Sequence, residues 1–368
     1  MNIPVADPAR ELLKIKDFEK KLISVIKSGT YVGGLNVINF ENNIKKFLNS
    51  KYVVSLNSGT DALLFSLLAI GIKKNDEVLV PSFTFFASVE CILHLEAKPV
   101  FVDIDPDTFC LDVKDLENKI TPRTRAILPV HLFGNNASIE EISALGKKHN
   151  IKIVEDVAQA FGSKTKAGKY LGTIGDVGAF SFFPSKTLGG IGDGGLIATN
   201  SKKYFSIISK LKNHGQSKNY NHDIVGYNSR LDSVNAFVLN EKLAIFKQIK
   251  EGRNNFFNFY NHNLSSLNWL KVPKKDSENT LLNYFTISVS TKIRPLLSEH
   301  LNNNGISNAI YYKKPIHTQK ALTKYNTKKL KLFNTEKASR TVLSLPYFSF
   351  PEEKEFEYIL SKFQNFKP

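Results

Sequence analysis

Phe180-Ser181-Phe182-Phe183-Pro184-Ser185-Lys186-Thr187-Leu188-Gly189-Gly190-Ile191-Gly192-Asp193-Gly194-Gly195 sets one lysine between a serine and a glycine-rich loop. This is what a Schiff-base lysine on a phosphate-bearing cofactor needs: an amine, a hydroxyl for the phosphate, and backbone free of obstructing side chains. Upstream, Val154-Glu155-Asp156-Val157-Ala158-Gln159 ends an apolar, strand-like run on a carboxylate. A carboxylate facing the pyridine nitrogen is the usual electronic partner of pyridoxal 5'-phosphate (PLP). The two segments together make PLP the expected cofactor, with Lys186 and Asp156 at its reactive and electronic ends.

Around these segments the chain alternates short apolar runs with helical stretches. Strands are expected at 52–56, 77–80, 98–103, 125–130, 151–155 and 196–199, and a helix from Asp61 to Ile70 that stops at Gly71. Such alternation predicts βαβ units and an α/β fold with a largely parallel sheet. Ligands of such sheets bind beyond the carboxyl ends of the strands. Ser58, Phe85 and Asp156 all follow strand ends and are expected to meet there. Beyond residue 250 the texture changes, with Asn, Phe and Lys prominent, then a strand over 284–289 and a helix ending near Gly305. The expected organisation is a large cofactor-binding domain at 1–250 and a smaller α+β domain at 251–368.

Ser58-Gly59-Thr60 sits where a strand passes into a helix, and the free N–H groups of a helix start bind phosphate. Ser181 is tethered closely enough to Lys186 to reach the same phosphate. An aromatic at the strand end is placed to stack on a pyridine ring, and Phe83, Phe85 and Phe86 all compete for that place. Gly190-x-Gly192-x-x-Gly195 matches the dinucleotide fingerprint in letters only, because a strand rather than a helix follows it. Asp103-x-Asp105-x-Asp107 lacks the glycine and glutamate of a calcium loop, having Thr108 and Lys114 there. The histidines show no zinc spacing with Cys91 or Cys110, so no metal is expected.

The 368 residues are 42% hydrophobic and 23% charged, which is a globular composition. Two cysteines, no signal-peptide pattern and no apolar run of membrane length predict a cytoplasmic chain without a membrane span. The net charge of +16 is spread along the sequence in scattered lysine pairs. It is therefore read as solvated lysines, with a positive field for an anionic substrate, and no nucleic-acid partner is expected.

From Ile3 to Phe350 the chain resembles the DegT/DnrJ/EryC1/StrS family of PLP-dependent nucleotide-sugar aminotransferases. The resemblance lies in Gly29-Thr30-Tyr31-Val32-Gly33-Gly34, Ser58-Gly59-Thr60-Asp61-Ala62-Leu63, Pro81-Ser82-Phe83-Thr84-Phe85 and Val130-His131-Leu132-Phe133-Gly134. It continues through Glu155-Asp156-Val157-Ala158-Gln159-Ala160, Ser181-Phe182-Phe183-Pro184-Ser185-Lys186, His214-Gly215, Gly226-Tyr227-Asn228-Ser229-Arg230-Leu231-Asp232 and Pro315-Ile316-His317. It implies the aspartate-aminotransferase-like fold (fold type I): a large, mainly parallel-sheet domain plus a smaller α+β C-terminal domain.

The same resemblance implies roles. Lys186 is the Schiff-base lysine and Asp156 the pyridinium partner. Gln159 contacts the ring hydroxyl; Gly59, Thr60 and Ser181 hold the phosphate. Phe85 stacks on the ring opposite Ala158. Asn228 reaches the phosphate from a neighbouring subunit, which implies a homodimer with shared active sites. Arg230, Tyr311 and His317 lie near the sugar nucleotide. Lys212 is a departure, since many members have arginine there.

The implied reaction moves an amino group from L-glutamate to a keto sugar carried on UDP or dTDP, with a 3-keto sugar favoured over a 4-keto one, for surface-glycan biosynthesis such as O-antigen. A sugar dehydratase of the same fold is disfavoured by Lys186, because members that remove a hydroxyl carry histidine there. A regulatory nucleic-acid-binding protein is the alternative from another class, and only the charge supports it.

Overall fold

The computed structural model describes residues 1–218, 220–325 and 327–368. Seven strands form the central sheet: β1 (Tyr52–Leu56), β2 (Glu77–Pro81), β3 (Lys98–Val102), β4 (Thr124–Ile127), β5 (Lys152–Asp156), β6 (Val177–Ser181) and β7 (Gly195–Thr199). Their order is β1-β7-β6-β5-β4-β2-β3. Only β7 runs against the others, pairing antiparallel with both β1 and β6. The strands are apolar on both faces because each face is covered by a core, one around Phe65 and Val80, the other around Phe40 and Phe161.

The carboxyl ends of β1, β2, β5 and β6 therefore point to one edge of the sheet, and the loop into β7 returns there. The run 125–130 is a strand only as far as Ile127; Pro129, beyond its end, has no N–H to donate to a ladder. The helix after β1 begins at Gly59, ahead of the expected Asp61, because the Ser58 hydroxyl accepts from the Asp61 N–H at 3.1 Å and caps the first turn. It ends at Gly71, whose φ of +88° suits a glycine cap.

A small hairpin, β8 (Gln216–Lys218) and β9 (Asn221–His222), projects from the large sheet. The C-terminal part has its own antiparallel sheet of β10 (Leu270–Lys271), β11 (Phe285–Val289) and β12 (Val342–Leu345), and a third core around Phe256, Tyr260 and Phe285. The helix Phe246–Leu264 runs through residue 250 unbroken. Its Phe246 and Ile249 pack under the large sheet, while Phe256, Tyr260 and Leu264 pack in the third core.

The N-terminal segment also packs on the C-terminal part. Ile3 N–H donates to the Gly305 carbonyl at 2.8 Å, and Arg10 makes a two-pronged pair with Glu355 at 2.6 and 2.7 Å. Lys242 and Glu11, both almost fully buried, form an ion pair at 2.9 Å, and Glu11 also accepts from Ser349 at 2.6 Å.

Candidate active site

At the carboxyl edge of the sheet lies a cavity of about 560 Å³. Its first wall is the start of the helix Gly59–Ile70. A Cβ at Gly59 would fall 2.6 Å from Ser181 Cβ, and one at Gly195 would fall 2.1 Å from the Ser58 carbonyl. Glycine at both places lets the helix start, the end of β6 and the start of β7 touch. Ser58, Gly59, Thr60 and Ser181 all line the cavity as a result. Unpaired N–H groups and hydroxyls gathered at a helix N-terminus suit a phosphate.

Asp156, the last residue of β5 and only 3% exposed, also lines the cavity. Its Oδ1 accepts from the Ala158 N–H at 3.1 Å and its Oδ2 from the Ser88 hydroxyl at 2.8 Å. Burial pushes this carboxyl up, opposed by those two donors and by the charge of Lys186. Both protein donors use a carboxylate that a buried site can hold only with further positive or N–H partners. A protonated ring nitrogen is such a partner, so Asp156 fits PLP.

Lys186 is the third part of the lining. It is carried by a tight turn after β6, in which its own N–H donates to the Phe183 carbonyl at 2.8 Å. A Cβ at Gly189 would strike the Pro184 carbonyl at 2.2 Å, so this turn needs its glycine. Lys186 itself is only partly buried and lines the cavity.

The side walls are aromatic. Phe83 is buried in the core and Phe86 packs against it, whereas Phe85 is 58% exposed and lines the cavity. Ala158 and Gln159 line it as well. Gln159 is locked in place: its Oε1 accepts from the Phe133 N–H at 2.9 Å and its Nε2 donates to the Tyr312 hydroxyl at 2.9 Å. Tyr311 closes the cavity from the C-terminal part, its ring 4.6 Å from that of Tyr284. Burial, with Tyr284 adding to it, pushes the Tyr311 hydroxyl up to about 12.

Three expected site residues lie outside this cavity. Asn228 and Arg230 are exposed and bonded to each other, Arg230 Nε donating to Asn228 Oδ1 at 3.0 Å. His317 is buried, and its Nδ1 lies 2.7 Å from the Ser82 hydroxyl. Lys212 bonds Glu41 and the Ser55 carbonyl, both at 3.3 Å, which gives it a structural place at the end of β1. Sequence reasoning missed Ser88, Tyr284, Ser185 and Tyr312. Each is a hydroxyl residue whose spacing in the sequence does not mark it.

Among the described residues no helix is long and apolar enough to cross a membrane, and no cluster of three or more His, Cys, Asp or Glu is arranged to hold a metal. The chain is 34% identical over its whole length, and over 99% of the relative, to a protein of Geobacillus stearothermophilus named pleiotropic regulatory protein. It is 40% identical to the UDP-N-acetyl-3-dehydro-alpha-D-glucosamine 3-aminotransferase of Acidithiobacillus ferrooxidans, across 82% of this chain and 80% of that one. Among solved structures it matches S. venezuelae DesV in complex with a ketimine intermediate with a TM-score of 0.94 and 32% identity, covering 99% of this chain and 98% of that chain. The family model for DegT/DnrJ/EryC1/StrS aminotransferases matches residues 13–364, and the chain belongs to that family.

Proposed function

We propose that this protein is a PLP-dependent aminotransferase that moves an amino group from L-glutamate to a 3-keto sugar on a nucleoside diphosphate. The observation that carries this reading is the meeting of Asp156, Lys186 and the Ser58–Thr60 and Ser181 cradle in one cavity. The 3-keto preference is supported by the name of the 40% identical relative.

PLP supplies an electron sink that makes a proton on the donor or sugar carbon removable. The chain's residues do the rest. Gly59, Thr60 and Ser181 would hold the phosphate, and Phe85 and Ala158 would fix the plane of the ring. Gln159, held by Phe133 and Tyr312, would contact the ring hydroxyl. Asp156 would keep a proton on the ring nitrogen. Lys186 lines the same cavity and would hold the cofactor's aldehyde end, and its Nζ would serve as the base that moves a proton at the substrate carbon. Tyr311 and Tyr284 exclude water from that side.

The chain works as a homodimer in the cytoplasm. Tyr31, Val32 and Leu35 are exposed beside Asp232, and Val225 and Tyr227 are exposed beside Asn228. Exposed apolar side chains of this kind suit a second copy, which would bring Asn228 and Arg230 to its neighbour's cavity. The chain divides into a cofactor-binding part (1–250) and a C-terminal part (251–368) that closes the cavity with its tyrosines.

The test is amino transfer from glutamate to a panel of UDP- and dTDP-linked 3-keto and 4-keto sugars, read by mass spectrometry. Transfer to a 3-keto sugar is expected. Transfer to none of them overturns the reading, and transfer to 4-keto sugars alone overturns its regiochemistry.

A further inference from the structure

Ser88 lies on the helix Ala87–His94, one turn beyond Thr84, and both are almost fully buried. The Ser88 oxygen is 2.8 Å from Asp156 Oδ2 and 3.0 Å from Thr84 Oγ1. A serine has one hydroxyl proton. Asp156 Oδ2, a carboxylate oxygen, accepts it, so the proton between Ser88 and Thr84 must come from Thr84. The direction is therefore fixed: Thr84 donates to Ser88, and Ser88 donates to Asp156. A chain of aligned hydroxyls is polarised along its length, and each link strengthens the next. Thr84 lines the cavity, so the chain runs from the cavity wall into the back of the acid.

We infer that Thr84 and Ser88 form a hydroxyl relay that sets the proton affinity of Asp156, and so governs how firmly the acid leaves its proton on the cofactor's ring nitrogen. This rests on the reading of the cavity as a PLP site. Ser88 touches neither cofactor nor substrate; it is a positioning residue acting through Asp156. The other groups around Asp156 are held differently. Lys186 approaches from the turn after β6. His131, from the segment after β4, donates its Nε2–H to buried Glu155 at 3.1 Å. Tyr312 donates no bond to Asp156, and its hydroxyl accepts from Gln159. Cys91, one turn past Ser88, has a thiol that burial and the Asp156 charge push up and keep neutral. Ser88 is thus the one side chain donating to the Asp156 carboxylate among the described residues.

Removing the Ser88 hydroxyl strips the carboxylate of a donor, so it binds a proton more tightly. The proton shared with the ring nitrogen then shifts toward Asp156, and positive charge near Lys186 falls. The nitrogen joining Lys186 to PLP should then keep its own proton to higher pH.

The experiment is a pH titration of the visible absorption band of the PLP-loaded protein, with thermal melting as the folding control. Ser88→Ala should raise the midpoint by about half a unit to one unit. Thr84→Val should raise it less, and Ser88→Thr should restore it. Folded Ser88→Ala and Thr84→Val proteins that titrate like the parent overturn the relay. Should Ser88→Ala fail to fold, Thr84→Val alone decides, by a raised or an unchanged midpoint. A parent protein that develops no band with PLP overturns the reading of the cavity itself, and the relay with it.

Discussion

The hydroxyls of Ser185 and Tyr284 lie 3.1 Å apart, and this contact joins the turn that carries Lys186 to the start of β11. It couples the lysine's backbone to the small sheet, so the C-terminal part holds the turn of Lys186 as well as lining the cavity. Tyr284→Phe keeps the ring against Tyr311 and removes only the hydroxyl. A hydrogen bond of this kind contributes about 0.5–1.5 kcal/mol. We expect kcat to fall about three- to tenfold with melting temperature little changed. Unchanged steady-state rates would show that the contact does not hold Lys186.

Gly59→Ala puts a Cβ where Ser181 already stands, 2.6 Å away. The atoms it meets belong to the end of β6, which cannot swing aside as a long side chain could. Overpacking of this kind costs about 1–3 kcal/mol. The phosphate cradle is displaced with it, so equilibrium dialysis should show weaker PLP binding. Parent-like affinity would remove Gly59 from the cradle.

The buried pair of Lys242 and Glu11 pins the N-terminal segment to the helix Ser233–Ala244. Glu11→Ala strands a buried ammonium, and removing one partner of such a pair costs about 3–5 kcal/mol. Lys242→Met combined with Glu11→Leu removes both charges and should recover most of that loss. Urea denaturation distinguishes the outcomes; a double variant as unstable as Glu11→Ala would contradict this account.

Acid should loosen the same region. Burial works to raise the Glu355 carboxyl, but hydrogen bonds from Arg10 and the Glu352 N–H outweigh it, and the group ends below its ordinary value. A carboxylate lowered on folding adds stability above its unfolded pKa of about 4.3 and loses it as pH falls through the folded value. Melting temperature should therefore drop as pH is taken from about 5 downward, and more gently in Glu355→Gln. Equal slopes in the two proteins would show that the Arg10 pair does not link the termini in this way.

Much of the site was legible in the sequence because its main parts sit at strand ends, where spacing has geometric meaning. Asp156 closes β5 and Ser181 closes β6, and glycines mark where backbone crowds the cavity. The choice among Phe83, Phe85 and Phe86 needed burial, which spacing does not carry. Ser88 was not legible because its partner Asp156 is far along the chain and only the sheet brings them together. Tyr312 and Tyr284 were hidden for the same reason, since their partners Gln159 and Ser185 are far along the chain. At residue 250, where the composition changes, the structure has one continuous helix, Phe246–Leu264, that serves two cores.

The central claim is that PLP bonds covalently to Lys186. Borohydride reduction of the PLP-loaded protein, followed by digestion and peptide mass spectrometry, tests it directly. The account predicts a pyridoxyl adduct on the peptide carrying Lys186, lost in Lys186→Ala. An adduct confined to other lysines, or none at all, would contradict it.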